Sequence, residues 1–191
     1  MKTVINLLFV LFGLIFFIGC DDDKNTNKVK TTSELYSEHT AKLLNDITDE
    51  NSSYSYCQNI VEPPKKGNTF DAQEFLSEKE FKQVIFEKFS LKNEREYENL
   101  IGIKEDLIID EKLLRDGLSI VSRKEFDTIR RYGTTEKTRE DFYEKYPDLF
   151  FMSKPIFNKD YKVAILDFGI GGCLVTNPFV FRLIDGRWEF D

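Results

Sequence analysis

The sequence predicts an α+β fold, a helical first half packed on a carboxyl-terminal antiparallel β-meander. Three observations carry this. Two quartets with the capping-box pattern, Ser77-Glu78-Lys79-Glu80 and Ser122-Arg123-Lys124-Glu125, open stretches whose apolar residues recur at helical spacing. After Pro147 the apolar runs become short and rich in β-branched and aromatic residues, as strands are. Between two such runs, FVFRLI and RWEF, Asp185-Gly186 supplies the two-residue turn of a β-hairpin. Helices followed by strands in this order imply helices laid on one face of a sheet.

In chain order, Ser33 reads as an N-cap, and Leu35, Tyr36, His39, Leu43 and Ile47 follow at helical spacing, predicting a helix over 34–47. Ser52 to Cys57 reads as extended or irregular, and Pro63 to Asn68 as a loop. Behind the Ser77 box, Phe81, Val84, Ile85, Lys88 and Phe89 trace one face of a helix to about residue 90. Glu94 to Leu100 can continue as helix, whereas Leu107-Ile108-Ile109 fits either a strand or a buried turn. The Ser122 box opens a helix that Gly133 ends. Thr135 to Tyr146 makes another, with Phe142 and Tyr146 inward and Pro147 stopping it. The expected strands are 150–153, 161–168, 173–184 and 187–190, with Gly169 to Gly172 as a turn.

The leader has its own logic. Lys2 precedes a nearly unbroken apolar run from Val4 to Gly19. A membrane-spanning helix needs about 20 apolar residues. This run is shorter, carries Asn6 and is followed at once by Asp21-Asp22-Asp23, which fits the apolar region of an export signal better. Phe17-Ile18-Gly19-Cys20 resembles the lipobox of bacterial lipoproteins, in which the cysteine is diacylated before cleavage. Phe17 and Ile18 stand where Leu and Ala or Ser are commoner, while Gly19 and Cys20 fit. The resemblance implies a signal peptide over 1–19, cleavage between Gly19 and Cys20, and two or three acyl chains, palmitate among them, on Cys20. One acyl chain holds a protein only marginally, so the additional chains make such a tether durable. Residues 20–32 then form a lipidated, polar and flexible tether, and 33–191 a single α+β domain. The aspartate run looks like the surface-export tag of some Gram-negative groups, and in enteric bacteria like an inner-membrane retention mark.

A second resemblance covers roughly the last fifty residues. Phe142, Tyr143, Tyr146 and Pro147 begin it, Ser153, Phe157, Asn158 and Ala164 continue it, and Gly171, Gly172, Gly186 and Trp188 end it. This tail is similar to those of uncharacterised bacterial exported lipoproteins. It implies no activity that could be transferred. Cys173 and Asn177-Pro178 stand where those proteins often have further glycine.

Composition narrows the function classes. The formal net charge is −7, and removing the leader, whose one charged side chain is Lys2, takes it to −8. Such acidity argues against nucleic acid as a partner and against electrostatic adhesion to anionic lipid. The 18 Phe and 8 Tyr provide an aromatic core. With Cys20 lipidated, Cys57 and Cys173 remain, either bridged in an oxidising compartment or buried as separate thiols. A catalytic cysteine needs a base, and His39 is the one histidine, read here as a partly buried helix-face residue. Zinc-type ligand spacing and the calcium-loop pattern are absent from the sequence, so neither metal nor cofactor is expected. Asp167-Phe168-Gly169 matches a kinase tripeptide without its catalytic loop, and Gly169 to Gly172 precedes a strand rather than a helix, unlike a phosphate loop. The expectation is therefore a non-enzymatic lipoprotein of the cell envelope, anchored through Cys20 and binding an envelope or extracellular partner. The alternative is a carboxylate-dependent hydrolase of glycan or peptidoglycan.

Overall fold

The computed structural model describes residues 30–63, 77–101, 107–130, 135–170, 173–174 and 178–191, with the backbone alone at 130, 170, 173 and 174. The expected signal peptide, Cys20, the tether to residue 29, and the glycines at 133, 171 and 172 lie outside the described residues. The chain divides into two units, Met1–Lys30 and Thr31–Asp191, and all elements below belong to the second.

Helix α1 spans Thr32–Ile47. Its cap is Thr31 rather than Ser33, because Thr31 has Glu34 three residues on. The Thr31 hydroxyl accepts from the Glu34 N–H (3.2 Å), and Glu34 Oε2 accepts from the Thr31 N–H (2.7 Å). The inward face carries Tyr36, Leu43, Leu44 and Ile47. After a series of turns, β1 (Asn59–Val61) is followed by α2 (Glu78–Phe89), opened by the expected Ser77–Glu80 box. Helix α3 (Glu94–Ile101) comes next, then the irregular Leu107–Asp110 stretch, a short 3-10 turn (Glu111–Leu113) and β2 (Ser119–Val121). Helices α4 (Arg123–Arg130) and α5 (Glu136–Lys145) precede the strand-rich end. Glu125 is used otherwise than a capping box requires, since its two carboxylate oxygens accept from Lys145 Nζ and the Tyr146 hydroxyl, both at 3.2 Å.

The remaining strands are β3 (Leu149–Met152), β4 (Ile156–Phe157), β5 (Val163–Leu166), β6 (Phe168–Ile170), β7 (Cys173–Leu174), β8 (Phe179–Ile184) and β9 (Arg187–Phe190). They form two sheets where one meander was expected. The carboxyl-terminal sheet, order β4-β5-β8-β9, is antiparallel throughout. The other, order β2-β1-β3-β6-β7, is mixed: β1 lies between β2 and β3, parallel to both. Asp185 (φ 48°) and Gly186 (φ 81°) take the two left-handed positions that the β8–β9 hairpin turn demands.

The two sheets share one ribbon. β3 runs into β4 through Ser153-Lys154-Pro155, and β5 runs into β6 through Asp167. Met152 faces Phe168 and Ile156 faces Ile165, so the first strand carries one residue more than its partner between these pairs. That is a β-bulge, which bends a ribbon. Ser153 pins it, its N–H donating to Asp167 O (2.8 Å) and its hydroxyl accepting from the Asp167 N–H (3.1 Å). Lys154, inside the bulge, is only 2% exposed.

Packing follows the pleat. On one face of the antiparallel sheet, Ile156, Val163, Ile165 and Val180 meet Phe81, Ile85, Phe89 and Tyr97 of α2 and α3. On its other face, Phe157, Ala164, Phe181 and Trp188 meet Tyr36, Leu43, Leu44 and Ile47 of α1. Ile60, Phe150 and Met152 of the mixed sheet join that same cluster, which makes it the common core. Val61, Val121 and Leu149 pack instead against Phe126 and Phe142 of α4 and α5. Helices thus cover both faces of the antiparallel sheet, because its strands are apolar on both sides over Val163–Leu166.

Candidate functional site

Among the described residues, a concavity walled by aromatic residues lies where α1 ends. Asp46 and Ile47 close one side, and Ser52, Ser53 and Tyr54 of the following turn form the rim. Phe179, Phe181, Trp188 and Phe190 supply the opposite wall from the β8–β9 hairpin. The volume is about 350 Å³, within the range of small-ligand sites. The hairpin register explains the wall: Phe181 faces Phe190 and Leu183 faces Trp188, so alternate residues of both strands fall on one side. Phe190 is 65% exposed, and its ring lies 5.4 Å from that of Phe179 and 5.9 Å from that of Phe181. Trp188 is buried beneath, 5.6 Å from Phe157, with an indole N–H that meets no acceptor among the described residues.

The polar groups of the groove are held in place. Asp46 Oδ2 accepts from the backbone N–H of Trp188 (2.8 Å) and pairs with Lys42 (3.3 Å). Ser52 Oγ accepts from the Tyr54 N–H (3.1 Å), and Arg187 reaches from the hairpin to Asp49 (3.3 Å). None of the lining residues is cationic.

A second, open depression of about 530 Å³ lies beside the start of α1, lined in part by Glu34, Asp110, Glu111 and Ile108. Two of its carboxylates serve local structure, Glu34 in the α1 cap and Asp110 accepting from the Lys112 N–H (3.0 Å). Hydrogen bonds hold the carboxyls of Asp49, Glu80 and Asp191 below the usual carboxylate range. A general acid requires the opposite displacement.

The other residues singled out in the sequence are dispersed. Cys57 is a fully buried free thiol in the common core, pushed up to about 11 chiefly by burial, with Asp148 adding to it. That shift disfavours the thiolate a nucleophile needs. Cys173 opens β7, three strands from β1 in the sheet order. The Cys173 side chain lies outside the described residues. His39 is half-buried on α1, stacked on Tyr161 at 4.2 Å and 13°. Asp167 sits in the β5–β6 bend, and Gly169 pairs with both Phe151 and Leu174 in a ladder. Among the described residues no group of three His, Cys, Asp or Glu is placed to hold a metal ion, and no helix is long and apolar enough to cross a membrane.

The residues of the tail pattern turn out to shape hairpins. Asn158 Oδ1 accepts from the N–H groups of Lys162 (2.7 Å) and Val163 (3.0 Å), holding the turn in which Tyr161 takes a left-handed φ of 50°. Pro147 O accepts from Asn59 Nδ2 (2.7 Å), and Ala164 is fully buried between strands. The groove itself went unread in the sequence. Its signal was the alternation of Phe179, Phe181, Trp188 and Phe190 about a two-residue turn.

No protein-family model matches the chain, and no curated protein or solved structure matches it either.

Proposed function

We propose that this chain is a lipid-anchored binding protein of the bacterial cell envelope, held through Cys20 and taking up its ligand in the aromatic groove between α1 and the β8–β9 hairpin. The groove carries the binding half of this reading. It joins half-exposed rings to fixed polar groups, the combination that small-ligand sites use for affinity and orientation. The apolar leader ending in Gly19-Cys20 supports the anchor. Labelling with a palmitate analogue, comparing wild type with Cys20→Ser, tests it. Label is expected on the wild type alone, and equal labelling of both would remove the anchor from the proposal.

A further inference from the structure

Resting on that reading of the groove, the chemistry of its walls points to an uncharged saccharide as ligand. Four features carry the inference together. First, Phe190 and Tyr54 stand at the mouth with ring surface open to a ligand, Phe190 being 65% exposed and Tyr54 half-buried. Such faces attract the C–H side of a sugar ring, because the ring's negative quadrupole meets slightly positive hydrogens while both surfaces lose water. Second, the same rim carries hydroxyls. Ser52 uses its oxygen as acceptor and keeps its O–H to donate, and Ser53 has no side-chain partner among the described residues. Third, Asp46 presents a carboxylate already balanced by Lys42. It can accept from a sugar hydroxyl, yet it adds little net pull on a cation. Fourth, no lysine or arginine lines the groove, so the charge of an anionic ligand would meet the Asp46 carboxylate and ring faces with no cation in the lining to balance it. An apolar peptide side chain would match the rings but offer no acceptor to the Ser52 and Ser53 O–H groups, and a site that presents such groups favours ligands that satisfy them.

Trp188 is the one tryptophan of the chain and lines the groove, so its fluorescence reports occupancy directly. The test titrates the full-length chain in detergent with chitotetraose, cellotetraose and maltotetraose. Oligogalacturonate serves as a charged comparison and N-acetyl-leucinamide as an apolar one. At least one uncharged saccharide is expected to give a saturable shift at millimolar or lower concentration. Phe190→Ala should weaken it about tenfold, the size of a lost ring contact, with an unchanged circular-dichroism spectrum. Ser53→Ala, which removes only a rim hydroxyl, should weaken it by a smaller factor. A saturable shift with leucinamide or galacturonate but none of the neutral sugars overturns the saccharide assignment and leaves the groove a binding site. Silence from all the probes, or saccharide binding indifferent to Phe190→Ala, overturns the saccharide assignment to this groove. Neither result bears on the Cys20 labelling.

Discussion

The two sheets are built from the same residue types but assembled over different distances along the chain. In the antiparallel sheet, β8 and β9 are joined by two residues and β4 and β5 by five. In the mixed sheet, β1 pairs with β2 and β3, which lie some sixty and ninety residues further on. The first kind of pairing closes short loops. The second must order long stretches of chain before any ladder bond compensates for the lost entropy. The mixed sheet therefore depends on side-chain burial, with Ile60, Val61, Leu149 and Phe150 all at 1% exposure or less. The antiparallel sheet is specified locally, by turn residues and by Asn158.

This contrast can be broken from either side. The largest effect is expected for Phe150→Ala, which empties a fully buried site where β3 stacks on Phe168 at 5.0 Å. The loss should be about 3–5 kcal/mol in denaturant unfolding. Being in the late-assembling sheet, it should act mainly by speeding unfolding. Gly186→Ala comes next. A methyl group there meets nothing within 4 Å, so the cost is that of a left-handed alanine, about 1 kcal/mol. If the hairpin forms early, this variant slows folding and leaves the unfolding rate nearly unchanged; stopped-flow traces showing the reverse pattern for the two variants would invert the proposed order. The smallest effect concerns Asp191, whose carboxyl is held down to about 2 by hydrogen bonds from Arg182 and Lys88. A carboxyl with a lowered folded value stabilises above its unfolded value, near 3.8, and that contribution fades as pH falls towards 2. The pairs are solvent-exposed, so the change is slight. Asp191→Asn should lower the unfolding midpoint slightly at neutral pH and not at pH near 2.

Much of this architecture was legible because local chemistry specified it. Ser77 with Glu80 marks the start of α2, Asp185-Gly186 marks the β8–β9 turn, and Phe142 faces inward on α5 as its spacing predicts. What escaped was non-local or very short. β1 and β2 are three residues each, NIV and SIV, too brief for alternation to register. β4, two residues long, is recognisable only through its partner β5. The Ser122 quartet does mark the start of α4, but Tyr146 and Lys145, some twenty residues away, claim the Glu125 carboxylate that a capping box would use. The groove escaped for the same reason: Asp46, Tyr54 and Phe190 meet only after α1 has docked on the hairpin.

The contact between Asp46 and Trp188 has a consequence for how copies of this protein coexist. β9 is the outermost strand of its sheet, and an outermost strand offers its N–H and C=O groups to any strand that drifts past. Here the outward N–H of Trp188 is already taken by a carboxylate from the chain's own α1. A neighbouring chain seeking to extend the sheet must first displace that carboxylate from both its N–H donor and Lys42. The protein carries its own stopper against stacking into fibres, supplied by the same helix end that forms one side of its groove.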